Sequence, residues 1–133
     1  MAVADLNNEK QEVITANDNI VIVDNFQSIR GGRTLDVTGF TPEVINAGHV
    51  IIKETATGNY KPMPVATEET TEYAELPDEH TYAGILINSI LTKKPFAGIL
   101  VRGTVNPAAA PYAMTNILAA VKTALPLIDF RED

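Results

Sequence analysis

Cysteine and tryptophan are both absent from this 133-residue sequence, and histidine occurs only twice. Without cysteine the chain has no disulfide, thiolate zinc site, iron–sulfur cluster or cysteine nucleophile. The same absence fits synthesis in a reducing cytoplasm. Positive charge is scarce, with 10 Lys and Arg against 17 Asp and Glu and a formal net charge of −7. Such a field repels phosphate backbones and anionic membrane surfaces unless a basic patch reverses it locally. The most basic stretches, Arg30 with Arg33 and Lys93 with Lys94, are too small for that, so neither nucleic acid nor a membrane is expected as a partner. No apolar run approaches the roughly 20 residues that span a bilayer. Met1-Ala2-Val3-Ala4-Asp5 lacks the basic region and following apolar stretch of a secretion signal.

What is present suits one folded domain. Hydrophobic residues make up 45% and charged residues 20%, apolar enough for a core and unlike a disordered chain. The polar stretch 1–19 reads as an arm and 20–133 as a single β-rich domain. Asn19 to Asp24 is a β-branched run between Asx residues, which predicts a short strand. Gly31-Gly32 predicts a tight turn ahead of a half-buried strand with Leu35 and Val37 on one face, so 20–38 is open to reading as a hairpin subdomain. His49 to Lys53 predicts another strand, and Thr57-Gly58-Asn59 a turn into Tyr60 to Val65, whose prolines suit a sheet edge. The acidic stretch Thr67 to Thr81 reads as a solvated loop.

Tyr82-Ala83-Gly84-Ile85-Leu86 recurs as Phe96-Ala97-Gly98-Ile99-Leu100 on either side of Thr92-Lys93-Lys94-Pro95. That arrangement predicts an antiparallel pair with Ile85, Ile87, Ile99, Val101 and Val105 on one face. Its glycines are expected where a neighbouring backbone or ring comes close. Met114, Ile117, Leu118, Val121 and Leu125 fall at helical spacing and predict one amphipathic helix of about three turns. Asn106 or Thr115 is the candidate cap and Pro126 the stop. Leu127 to Asp133 reads as a final strand or a docking segment. The expected class is therefore mainly β, a small barrel or sandwich-like domain with one short C-terminal helix.

Chemistry-bearing motifs are sparse. His49 and His80 have no metal spacing, and Ser28 and Ser89 sit in no nucleophile elbow. The acids of 67–81 lack the alternating ligands and central glycine of a calcium loop. Arg30-Gly31-Gly32-Arg33 lacks the Lys-Ser/Thr of a phosphate loop and reads as a turn able to meet acidic groups of a partner. No catalytic, metal-binding or cofactor-binding residue is assigned, and no enzyme activity is expected.

The order of segments carries a resemblance. Ala47-Gly48-His49-Val50-Ile51-Ile52-Lys53, then Tyr82 to Leu86, then Gly98-Ile99-Leu100-Val101-Arg102-Gly103-Thr104-Val105-Asn106 with a following helix resembles the lambdoid phage head-decoration, or capsid-stabilising, family. It is also similar to head-fibre and decoration proteins of phages of gut Bacteroidales. The similarity spans roughly Gly39 to Leu125; the segment before Gly39 is longer than in that family. The resemblance implies a virion protein made in the bacterial host cytoplasm, which binds the capsid exterior as a homotrimer and holds major capsid proteins together. An N-terminal arm would order against the shell. The candidate capsid contacts on this chain are Val3, Leu6, Val13 and Ile14 of the arm with Arg30 and Arg33, and the candidate trimer contacts, if the apolar faces near Ile99 and the helix are not covered within one chain, are Ile99, Val101, Ile117 and Val121. A head-fibre base, and a ligand-binding protein or enzyme using loop carboxylates, are the competing readings.

Overall fold

The computed structural model describes residues 18–65 and 72–132. In chain order its elements are a helical turn α1 (Asp18–Val21) and strands β1 (Ile22–Ser28), β2 (Arg33–Thr34), β3 (Val44–Ile45), β4 (Val50–Glu54), β5 (Tyr60–Pro62), β6 (His80–Leu86), β7 (Ile90–Leu91), β8 (Phe96–Ala97) and β9 (Ile99–Val105). A 3-10 turn (Pro107–Ala109), helix α2 (Leu118–Ala124) and strand β10 (Ile128–Phe130) complete them. The domain is mainly β with one helix near its C-terminus, as its composition and periodicity predict.

The main sheet runs β1-β9-β6-β4-β5, with β10 pairing parallel to the second half of β9. Among the described residues it does not close, so the barrel expectation gives way to an open sheet with two small ribbons, β2–β8 and β3–β7. Alternation along the central strands explains why both faces are covered. Val50, Ile52, Ile85, Leu100 and Val105 point into a core closed by Met114, Ile117, Val121, Leu125, Ile128 and Phe130. Ile51, Leu86 and Ile99 point the other way, against Leu35, Ile45 and Ala97. Each fully buried Ile or Leu contributes roughly 1.5–3 kcal/mol, so both layers matter to stability.

The two Ala-Gly-Ile-Leu copies do pair antiparallel, Ile85 with Leu100 and Leu86 with Ile99. Between them the chain leaves the main sheet to make β7 and β8 in the ribbons. This pairing puts Ile99 beside Leu86, on the face opposite Ile85 and Val105, correcting the single-face assignment. Gly84 lies where expected for a close approach: an added Cβ would stand 2.5 Å from the Leu100 carbonyl oxygen.

Four further expectations are revised. Ile20 and Val21 belong to a helical turn rather than a strand, because tertiary contacts override their β propensity. Val21 is buried, and its carbonyl accepts the Asn106 N–H at 2.8 Å. The strand then runs from Ile22 to Ser28, past the expected end at Asp24, and pairs with β9 rather than β2. Within 20–38, β1 thus joins the main sheet and β2 a ribbon with β8, so the two do not pair as a hairpin of their own. The helix is shorter than three turns, although Met114, Ile117, Val121 and Leu125 are all buried as its spacing predicts. Asn106 caps the 3-10 turn, its Oδ1 accepting the Ala108 N–H at 3.0 Å, instead of capping α2.

Candidate functional site

Polar side chains that sequence alone left undecided are mostly occupied within the fold. Ser89 Oγ donates to Asp18 Oδ1 at 2.8 Å and accepts the Ala47 N–H at 3.0 Å, while Ser89 N–H donates to Asp18 Oδ2 at 3.0 Å. That network ties α1 to the β6–β7 and β3–β4 connections and leaves Ser89 without a basic partner for nucleophilic chemistry. His80 lies at the start of β6, not in a loop. Its Nδ1 donates to the Asp78 carbonyl at 2.8 Å, so its Nε2 accepts from Lys61 Nζ at 3.4 Å. Lys61 also meets Glu54 at 3.3 Å. The Glu54 carboxyl is held below its ordinary pKa by the Thr57 hydroxyl first and Lys61 second. Asp36 is likewise lowered, chiefly by the Thr38 hydroxyl. Among the described residues, no group of three or more His, Asp or Glu side chains converges on a metal position.

Among the concavities of the described residues, two lie beside the main sheet. One, of about 360 Å³, has walls of Phe40, Pro42, Pro62 and Pro64 with Lys61 and His80 at its polar side. The other, of about 510 Å³, is a shallow apolar groove between Tyr82 of β6 and Ala119, Ala120 and Thr123 of α2, with Leu76 beside them. In the first, the cation is already engaged by Glu54 and His80.

The largest exposed apolar side chains lie elsewhere. On β1, Phe26 is 70% and Val23 42% exposed, and Ile20 in α1 is also exposed. Every residue of β1 after Ile22 is open to solvent. The strand pairs with β9 on one side, and no other strand among the described residues pairs with it. Its backbone therefore presents a row of hydrogen-bonding groups beside apolar side chains, the physical form of a strand-docking edge. Leu127, just ahead of β10, and Phe96, on β8, are the other large exposed apolar residues.

The residues singled out by sequence are dispersed in the fold. Arg30 and Arg33 are exposed at the glycine turn. Arg33 Nη1 donates to the carbonyls of Gly32 at 2.7 Å and Arg30 at 3.1 Å, and its guanidinium lies 5.7 Å from the Tyr60 ring centre. Ile99, Ile117 and Val121 are buried within the single chain and offer no area to a neighbouring copy; only Val101 is partly accessible. Val3, Leu6, Val13 and Ile14 lie outside the described residues. Sequence reasoning missed Phe26, because the strand was taken to stop at Asp24, and it placed Val23 in that strand without assigning it a contact. Asp24-Asn25 inside a β-branched and aromatic stretch is the signal that would have found Phe26, since two polar residues together suit a strand at a solvated edge.

The acidic stretch is solvated at Glu72, Glu75, Asp78 and Glu79 but not throughout. Tyr73 is buried, and its hydroxyl accepts the Val50 N–H at 3.1 Å. It packs with Tyr112 and His49 in an aromatic cluster. No protein-family model matches this chain, and no curated protein or solved structure matches it either.

Proposed function

We propose that this protein is a phage virion component that binds the outside of the capsid as a homotrimer and stabilises the head. The observation that carries this reading is β1: a seven-residue edge strand, free of proline, with Val23 and Phe26 exposed beside an unpaired backbone. A docking protein needs area and hydrogen-bonding edges rather than a reactive cleft, and β1 supplies both. Three linked copies multiply a modest contact into tight attachment, because the second and third contacts form at high effective concentration. The negative net charge suits a position outside the shell, away from packaged nucleic acid.

Mixing the purified protein with undecorated, expanded capsids is the test. Saturable binding in multiples of three copies per site, together with a higher shell disruption temperature, is the expected result. Failure to bind at physiological salt rejects the reading.

A further inference from the structure

His49 is the point at which three loops meet the main sheet. Its ring is fully buried and stands edge-on to Phe40, Tyr73 and Tyr112, with ring centres 5.5, 5.2 and 5.5 Å away. Phe40 comes from the connection between β2 and β3, Tyr73 from that between β5 and β6, and Tyr112 from the segment ahead of α2. These stretches have little regular secondary structure, so their placement depends on side-chain contacts of this kind.

The ring's polar contacts are unequal. Nε2–H donates to the Met63 carbonyl at 2.9 Å, whereas Nδ1 has no hydrogen-bond partner among the described residues. The neutral ring is therefore satisfied on one side only, and a proton added at Nδ1 would meet no acceptor. The titratable groups facing it are the phenols of Tyr73 and Tyr112. Burial raises the pKa of both above the ordinary tyrosine value, so they stay neutral throughout the acid range. Among the described residues no carboxylate shifts the ring's titration, which burial lowers and the Met63 hydrogen bond raises.

We propose that His49 is an acid-sensitive latch: a second proton on its ring expels it from the aromatic cage and frees the loops carrying Phe40, Tyr73 and Tyr112 while the sheet stays folded. Burial pushes the ring's pKa down from 6.5 to about 4. The neutral ring's contribution is thus whole above pH 6.5 and fades as pH falls toward 4. The opening equilibrium moves on the order of 100-fold across that window. Phe40 also forms a wall of the 360 Å³ cleft, so release changes the shape of that cavity.

The chain has no tryptophan and four tyrosines, so near-ultraviolet circular dichroism reports the cage while the far-ultraviolet signal reports the sheet. Between pH 6.5 and 4 the near-ultraviolet signal is expected to collapse with the far-ultraviolet signal unchanged. His49→Gln keeps an N–H donor for the Met63 carbonyl and takes up no proton, so its near-ultraviolet signal is expected to stay flat over the same range. The same transition in His49→Gln, simultaneous loss of both signals in the unaltered protein, or no transition down to pH 4 would each overturn the proposal. Imidazole NMR of the unaltered protein supplies an independent reading should the variant not fold. A ring that titrates well below 6.5, with the Tyr73 and Tyr112 resonances changing at the same midpoint, supports the latch. A ring that titrates near 6.5, or whose titration leaves those tyrosines unmoved, defeats it.

Discussion

Among the described residues β1, β5 and β10 each pair with one strand only, and the first two of these edges are built in opposite ways. At β5 the chain closes its own edge. The strand is three residues long, and Met63 N–H donates inward to the Val50 carbonyl at 2.8 Å. By the alternation of antiparallel pairing, Pro62 and Pro64 then fall where an N–H would point outward. The outward carbonyls of Tyr60 and Pro64 are taken by the N–H groups of Asp36 at 2.8 Å and Ala74 at 2.9 Å. At β1 no proline and no covering strand is seen among the described residues: the strand has seven residues and leaves Phe26 in the open, although its register against β9 shifts three times. The proposed docking role rests on that contrast: the chain covers its β5 edge itself and leaves the outer side of β1 without a strand.

Removing the open edge from the fold should have the largest effect. A Cβ at Gly103 would stand 2.2 Å from the Asp24 carbonyl oxygen, where β1 crosses β9. Gly103→Ala is expected to destabilise the domain by about 3 kcal/mol, read from urea denaturation, and to lose shell binding with it. An unchanged denaturation midpoint would mean that the β1–β9 seam adjusts freely and is no fixed docking edge. Phe26→Lys comes next. Shell affinity should fall roughly 10- to 100-fold, as for an interface anchor, with stability within about 0.5 kcal/mol of the parent because the ring is exposed.

Pro62→Val tests the other side of the contrast. It adds an N–H at a buried position whose flanking carbonyls are already taken, so the domain is expected to lose about 1–3 kcal/mol in urea denaturation without gaining a new docking edge. Arg33→Ala should do least. It loses local hydrogen bonds and the stacking on Tyr60, together worth about 0.5–1 kcal/mol, with shell affinity changed by less than about threefold. A loss as large as that of Phe26→Lys would move the docking surface from β1 to the glycine turn.

The elements with strong local patterns were legible in the sequence. Val50 to Glu54, the Thr57-Gly58-Asn59 turn and the spacing of Met114, Ile117, Val121 and Leu125 each satisfy a rule of strand, turn or helix within a few residues. The paired Ala-Gly-Ile-Leu copies even gave their antiparallel partners. What could not be read depends on distant contacts. Ile20-Val21 is helical because Asn106, over 80 residues away in the chain, fixes the Val21 carbonyl. Tyr73 is buried within a polar stretch because the Val50 N–H and the His49 ring receive it. Ile99 changes face because the chain makes two ribbon strands between the repeats, a detour with no local signature. The candidate trimer contacts assumed apolar faces left open near Ile99 and the helix, and Ile99, Ile117 and Val121 are buried within the chain.

The Asp18–Ser89 clamp has a mechanical consequence. A tension applied ahead of Asp18 does not reach β1 first, because the carboxylate grips the N–H and hydroxyl of Ser89, and Ser89 in turn holds the Ala47 N–H. The load passes sideways into the middle of the domain rather than unzipping the first strand one bond at a time. A tether attached there would strain against several bonds at once, which favours slow rupture over gradual peeling.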